Sequence, residues 1–425
     1  EATPTDLDAY DDIPVETSGE DCPPPVEKFA DIALHPGLQA NIDAAKFVKP
    51  TPVQRHSLSI GIARRDVMAC AQTGSGKTGG FLFPVLHQML IEIDARTEPE
   101  ERIGRSEPRC LILAPTRELA TQIVREAQKF CASTPITPVV VYGGAEIRPQ
   151  IAALERGCAL LVATPGRLCD LIERGKISLT KIKFLVLDEA DRMLDMGFEP
   201  QIRRIVQQEG MPASGAVADG GGGRQTLMFS ATFPKEIQKL ASEFMTRCAT
   251  GRVSDQALHT PTHSPTQLTP HATLRHRYIF VAVGRVGSTT ALITQNVIWV
   301  DDQQKHTALV ELITNTQGRT IVFVETKRAA EQLEDFLYRS SIPATSIHGD
   351  RTQREREHAL LAFRRGQPAV LVATDVAARG LDVPECMHVI NYELPRDINS
   401  YVHRIGRTGR MGRHGTAISL FSHSN

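Results

Sequence analysis

No stretch of this sequence approaches the roughly 18 consecutive apolar residues needed to cross a bilayer as a helix. There is no Cys-x-x-Cys pair. The eight cysteines, at 22, 70, 110, 131, 158, 169, 248 and 386, stand apart, several at the ends of apolar runs. That distribution argues against a zinc ribbon or a disulfide framework and for buried, reduced thiols in a cytosolic or nuclear protein. Net charge is nearly absent as well, with 48 basic against 49 acidic residues. A blanket polycation is thereby excluded, and any nucleic-acid contact must come from a local surface. The acidic N-terminal stretch is not expected to act as a signal peptide. Residues 1–26 are acidic, carry Pro23-Pro24-Pro25 and have few large apolar side chains, the composition of a disordered or loosely docked tail. The first residue is Glu, so the chain is expected to begin inside a longer one.

What is present is ample core material. The 425 residues, 41% hydrophobic and 23% charged, suit two or three globular domains. Short apolar runs alternate with amphipathic segments: Val67–Cys70, Cys110–Leu113, Val139–Tyr142, Leu160–Val162, Phe184–Leu187 and Thr226–Phe229, then Thr320–Val324, Ala344–Ile347, Ala369–Val372, His388–Ile390 and Ala417–Leu420. This reads as two tandem α/β domains, each a doubly wound parallel sheet. The expected boundaries are a first domain over 27–283, a short Gly-containing linker over 284–290 (Gly284-Arg285-Val286-Gly287-Ser288-Thr289) and a second domain over 291–425. Two such domains on a hinge can close a cleft.

Three loops are overlong: Glu92–Pro108, Met211–Gly223 and Arg247–His276. The last, a disordered insertion in this reading, is rich in Thr, Pro and His. Without a cluster of carboxylates or cysteines beside the histidines, a solvated loop is expected over a metal site. It joins a helix to a strand, which places it at the amino edge of the sheet, away from ligands bound at the carboxyl edge. It also reads like translated non-coding sequence, and the chain stops at Asn425 just after the last expected strand.

Two motifs carry chemistry. Val67–Cys70 leads into Ala71-Gln72-Thr73-Gly74-Ser75-Gly76-Lys77-Thr78, a strand, a Gly-rich turn and a helix start. Glycines let backbone N–H groups approach phosphate, Lys77 reaches the outer phosphates, and the Thr78 hydroxyl is placed to ligate Mg²⁺. Ala71 stands where the usual pattern has Gly. Phe184–Leu187 runs into Asp188-Glu189-Ala190-Asp191. A carboxylate pair after a strand is ordinarily a solvated turn; on a strand neighbouring a P-loop it becomes the Mg²⁺ carboxylate, Asp188, and the residue that orients or deprotonates water, Glu189.

Together with Gln54, Pro115-Thr116-Arg117-Glu118-Leu119, Thr164-Pro165-Gly166-Arg167, Ser230-Ala231-Thr232 and His403-Arg404-Ile405-Gly406-Arg407-Thr408-Gly409-Arg410, these motifs resemble the DEAD-box RNA helicases over about residues 10–425, the insertion apart. Asp12–Glu16, Ala69–Gly80 and Val281–Ser288 resemble the branch of translation-initiation helicases and Vasa. The resemblance implies RecA-like domains and ATP with Mg²⁺ as cofactors. It gives Phe47, with Lys49, a place over adenine and Gln54 its edge, and Gly380 and Asp382 a place at the ribose. It makes Arg407 and Arg410 arginine fingers acting across the cleft with His403. Ser230 and Thr232 would link hydrolysis to strand separation, through His403.

Other strand ends are expected to bind the RNA backbone: Pro115, Thr116 and Arg117; Gly143 and Gly144; Thr164 and Arg167; and, in the second domain, Thr326, Gly349, Arg351 and Thr374. Hydroxyls, glycine amides and arginines suit phosphate and 2′-OH and carry little sequence information. His403, Arg407 and Arg410 share a face if their segment is helical.

The activity implied is ATP-dependent local unwinding of short RNA duplexes by a monomer in translation initiation or mRNP remodelling. Initiation factors would be partners, and the protein cytoplasmic, with nuclear shuttling or RNP granules open. A slow-turnover ATP-gated clamp on RNA, or a defective gene product, stand as alternatives.

Overall fold

The computed structural model describes residues 13–72, 74–96, 105–215, 223–245, 278–284, 292–375, 386–409 and 413–423. The insertion, most of the linker, Thr73, Gly380, Asp382 and Arg410 lie outside them.

Within this frame the chain forms two tandem parallel-sheet α/β domains, as the alternating pattern requires. The first contains β1 (Val15–Ser18), β2 (Val67–Cys70), β3 (Cys110–Leu113), β4 (Pro138–Val141), β5 (Leu160–Ala163), β6 (Phe184–Leu187), β7 (Gln225–Ser230) and β8 (Ile279–Val283). Their spatial order is β1-β8-β2-β7-β6-β3-β5-β4. The second contains β9 (Ile293–Trp299), β10 (Arg319–Val324), β11 (Ala344–Ile347), β12 (Val370–Thr374), β13 (Cys386–Asn391) and β14 (Gly415–Phe421), in the order β11-β12-β10-β13-β14-β9. Every pairing is parallel except β1 with β8.

The unbroken apolar runs follow from helices covering both faces. Cys110 and Ile112 of β3 and Phe184 and Val186 of β6 pack into one layer with Phe81, Leu82 and Ile123. The alternate residues, Leu111, Leu113, Leu185 and Leu187, pack into the other with Leu168, Ile202 and Leu240. A strand buried on both sides has no polar face to alternate with. In the second domain, Phe363 covers one face and Leu333 and Leu337 the other.

Three features depart from the sequence reading. The segment read as a tail contributes β1, whose Val15 pairs with Val283 and whose neighbour Ile13 packs on the core; one short edge strand needs little apolar content of its own. β9 was not anticipated, because of its seven residues only Ile293 is buried, and an exposed edge strand leaves no apolar run to read. Finally, the P-loop strand β2 and the carboxylate strand β6 are not hydrogen-bonded neighbours, since β7 lies between them. That spacing brings Ser230, at the end of β7, between the two motifs.

Candidate functional site

β2 is fully buried and ends at Cys70, and the next amide, Ala71 N, donates to Ser230 O at 3.0 Å. The chain then turns through Gly76, at φ +88°, into an 18-residue helix, Lys77–Asp94. Gly76 is required both by that φ and by space, since a Cβ there would lie 2.8 Å from Gln54 Nε2 and 2.9 Å from Thr51 Oγ1. Those two side chains brace the turn. Gln54 Nε2 donates to Gly76 O (2.9 Å), Gln54 Oε1 accepts from Thr51 N (3.0 Å), and Thr51 Oγ1 donates to Ser75 O (2.8 Å). Gln54 is buried and its amide is engaged at both ends, so it holds the P-loop in shape; an adenine contact would have to share those bonds. Ser75 Oγ donates to Gln72 O (2.8 Å), and Lys77 Nζ donates to Ala71 O at 2.9 Å, curled into its own loop. Phe47 is partly buried and held edge-on by Phe29, Phe83 and Phe130 at centroid distances of 6.5, 5.8 and 5.6 Å, an arrangement that fixes its ring plane. Lys49 lies two residues on, partly buried.

The carboxylates sit at the end of β6. Asp188 and Glu189 are both buried. Burial pushes the Asp188 carboxyl up to about 7, with the negative charge of Glu189 adding to the rise and Lys77 opposing it. Glu189 adopts a left-handed conformation, φ 50° and ψ 53°, directly before the helix Ala190–Asp195, and its amide donates to Asp188 Oδ1 at 3.0 Å. A bulky residue in that region is strained. Asp191 is the hub of the site, although the sequence reading gave it no role of its own. Its Oδ2 accepts from Ala231 N (3.2 Å), Thr232 N (2.9 Å) and Thr232 Oγ1 (2.8 Å). From the second domain, His403 Nε2 lies 3.7 Å from the same oxygen. Burial works against ionisation of Asp191, but the nearby His403, with Lys77 and the Thr232 hydroxyl, holds its carboxyl well below the usual range. The expected link from the Ser230–Thr232 segment to His403 therefore runs through Asp191. Ser230 Oγ is buried without a hydrogen-bond partner among the described residues.

The helix bearing His403, Ile398–Ile405, stops before Arg407, so the condition on which His403 and Arg407 would share a helical face is not met; Arg410 lies outside the described residues. Arg407 instead occupies the following turn, is buried, and donates from Nε to His403 O at 3.1 Å. Arg404, not singled out from sequence, is the structural anchor of this segment. Its Nε and Nη2 each lie 2.6 Å from one of the two Asp375 carboxylate oxygens, and its guanidinium stacks 5.2 Å from the Phe323 ring centroid. Two further bonds cross between the domains. Arg356 Nη2 meets Glu118 Oε1 at 2.7 Å, and Arg117 Nη1 meets Gln353 Oε1 at 3.0 Å. Sequence inspection missed Gln353, Arg356 and Glu118, because helix-surface charges are ordinarily solvated.

The expected phosphate-facing residues fall at carboxyl edges of the sheets. Pro115 and Thr116 follow β3; Thr116 Oγ1 accepts from Leu119 N (3.3 Å) and caps the helix Arg117–Phe130. Thr326 Oγ1 does the same for Ala329 N (3.0 Å) after β10. Thr164 Oγ1 accepts from Gly143 N (3.3 Å). A hydroxyl that accepts one bond keeps its hydrogen to donate outward, so capping and phosphate binding are compatible. Gly349 is exposed and Thr374 buried. Arg351 departs from expectation: Nη2 donates to Glu334 Oε2 (2.7 Å) and Ser346 Oγ (3.1 Å), folding the side chain back against its own domain.

Comparison with known proteins follows the same division. A family model described as DEAD/DEAH box helicase matches residues 51–240, and one described as helicase conserved C-terminal domain matches residues 304–412. Among solved structures, Dbp5 of S. cerevisiae bound to RNA and ADP BeF3 is 30% identical with a TM-score of 0.72, covering 93% of this chain and 90% of that one. The yeast DEAD-box splicing factor Prp28 is 31% identical with a TM-score of 0.52, covering 98% of this chain and 85% of that one.

Proposed function

This chain belongs to the DEAD/DEAH box helicase family and is an RNA-dependent ATPase and helicase, and from that premise we propose that it separates short RNA duplexes locally, through closure of its two domains around ATP. The observation that carries this reading is the Asp191 node. One carboxylate beside the catalytic pair accepts the Ala231 and Thr232 amides and the Thr232 hydroxyl while facing His403 of the second domain. A change at the nucleotide is thereby felt by β7 and by the other domain together. Closure helps only because the closed state binds ATP and a single strand better than the open state does. A strand held by its backbone in a form that cannot pair leaves its complement to dissociate. Dbp5 bound to RNA and ADP BeF3 supports the same ligand pair here.

The residues present fit ATP with Mg²⁺. Buried Asp188, raised to about 7 with Glu189 beside it, is a site short of positive charge, and Lys77 can leave its own loop carbonyl for phosphate. Thr78 and Asp188 would hold the ion, which when bound neutralises the phosphate oxygens. Glu189 then orients or deprotonates water, Phe47 covers the base, and Arg407 with Arg410 neutralises the outer phosphate from the second domain, Gly380 and Asp382 reaching the ribose. RNA is gripped at the strand ends already named. Translation initiation or mRNP remodelling in the cytoplasm is the setting we propose, from the likeness to the initiation and Vasa branch.

Glu189→Gln tests the assignment. The variant should lose about 10²-fold or more of its RNA-stimulated ATP hydrolysis while retaining RNA in the presence of ATP. Undiminished hydrolysis would sink the reading.

A further inference from the structure

The Gly143-Gly144 turn after β4 has an unusual allocation of backbone groups. Gln150 Oε1 accepts from Tyr142 N at 2.9 Å, while Gln150 Nε2 donates to Tyr142 O and to Glu146 O, each at 3.1 Å. Arg117 Nη1 donates to Gly144 O at 3.3 Å and Arg167 Nη2 to Ala145 O at 3.0 Å. The carbonyls of Tyr142, Gly144, Ala145 and Glu146 are therefore all engaged by side chains. Gly144, at φ +69°, sits so close under Arg117 that a Cβ would lie 2.1 Å from its guanidinium. The Gly143 amide is itself given to Thr164 Oγ1 at 3.3 Å, so with these four oxygens bound by the protein the N–H that the turn offers an approaching anion is that of Gly144.

Arg117 and Arg167 belong to motifs read from the sequence. Gln150 belongs to none. It lies on the helix Ile147–Glu155, is 8% exposed, and makes three of the bonds that shape this turn. Its amide can do so because it donates and accepts at once; a carboxylate or an aliphatic side chain of similar size cannot.

We propose that Gln150 is a positioning residue of RNA binding. It holds the Tyr142 and Glu146 carbonyls turned in, so that the Gly143-Gly144 turn presents the Gly144 amide to an RNA phosphate. The inference rests on the reading of this edge as an RNA-backbone surface. Gln150 itself touches no RNA; it acts through the turn.

The test is RNA-stimulated ATP hydrolysis by the full chain with a single-stranded oligouridylate, comparing the original protein with Gln150→Leu over a series of salt concentrations. The KM for RNA should rise about tenfold on loss of these bonds, with kcat at saturating RNA within twofold. The slope of log affinity against log salt should stay as in the original protein, because the donor lost is an uncharged amide and every lysine and arginine is retained. A residue that merely stabilises the fold would lower the active fraction and leave KM alone, and that result overturns the proposal. So does an unchanged KM in a variant that melts normally, which leaves the RNA-backbone reading intact. Failure of the original protein to respond to RNA at all would overturn that reading and this inference with it. Should Gln150→Leu not fold, Gln150→Glu keeps the acceptor for Tyr142 N and loses both donors; the same rise in KM is expected, and its absence is equally decisive.

Discussion

The two domains share an architecture and differ at the edge where chemistry happens. Both are parallel sheets covered on two faces, and both place helix N-caps and polar turns at their carboxyl edges. In the first domain those turns hold uncompensated charge: Asp188 raised by burial, Glu189 in a left-handed conformation, Lys77 turned onto its own loop. In the second, several charges at the matching edge are paired within the domain. Arg404 is paired with both oxygens of Asp375, Asp397 accepts from Ser400 N and Oγ, and Arg351 is tied to Glu334. One edge is built to receive a charged ligand and the other to carry finished side chains to it. A shared fold therefore says little about which domain does chemistry, and the distribution of unmet charge says a good deal.

The most disruptive way to break this comparison is Arg404→Ala. It leaves Asp375 partly buried without its partner and empties the space over Phe323, so the second domain should lose about 4 kcal/mol. In urea unfolding followed for each domain, only the second domain's transition should move; an equal shift of the first would show that the anchor serves the interface instead. Next in size is Asp191→Asn, which keeps the volume and removes the charge facing His403. Turnover at saturating ATP and RNA should fall about 10²-fold with ATP affinity changed only a few-fold, read by steady-state rates beside nucleotide titration. Loss of nucleotide affinity alone would place Asp191 in binding and not in coupling.

Smaller, and opposite in sign between stability and function, is the pH response of the first domain. Asp188 titrates near 7 and Asp66, also lifted by burial, near 6, both above their unfolded values. The folded form thus holds more protons than the unfolded one between about pH 4 and 7, and the ligand-free protein should gain stability as pH falls through that window, by about 1–3 kcal/mol. Mg²⁺-nucleotide affinity should decline over the same range, because the ion needs the carboxylate. Asp188→Asn should flatten its share of the stability trend. Thermal unfolding between pH 5 and 8 decides it, and a melting temperature that rises with pH across the window would contradict the burial argument.

How much of this was legible in advance depends on what each residue does. The strand cores were readable because burial on both faces leaves an uninterrupted apolar run, and the P-loop because phosphate requires glycine, lysine and a hydroxyl at fixed spacing. β9 was not, since an edge strand with one buried residue has no such signature. Asp191 stood inside a recognised motif, yet its acceptor role depends on β7 lying between β2 and β6, a topology that local patterns do not state. The end of the Ile398–Ile405 helix before Arg407 was left open, because spacing says which residues would share a face, not where the helix stops. Gln150 sits among ordinary helix residues, and only the four occupied carbonyls around it reveal what it holds.

The finest test of the comparison is the Glu118–Arg356 pair, where the two edges touch. Both side chains are largely buried at 2.7 Å, beside the bond from Arg117 to Gln353. If the second domain delivers finished side chains to the first, this pair should matter only when the domains are together. A double-mutant cycle with Glu118→Ala and Arg356→Ala, read as RNA affinity with a non-hydrolysable ATP analogue, should give a coupling of about 1 kcal/mol. The same cycle without nucleotide should give none. The single substitutions also leave a buried charge unpaired, so each should weaken ATP-dependent RNA binding at least as much as the double variant does. Equal coupling with and without nucleotide would mean that the contact is permanent, and that closure does not depend on ATP.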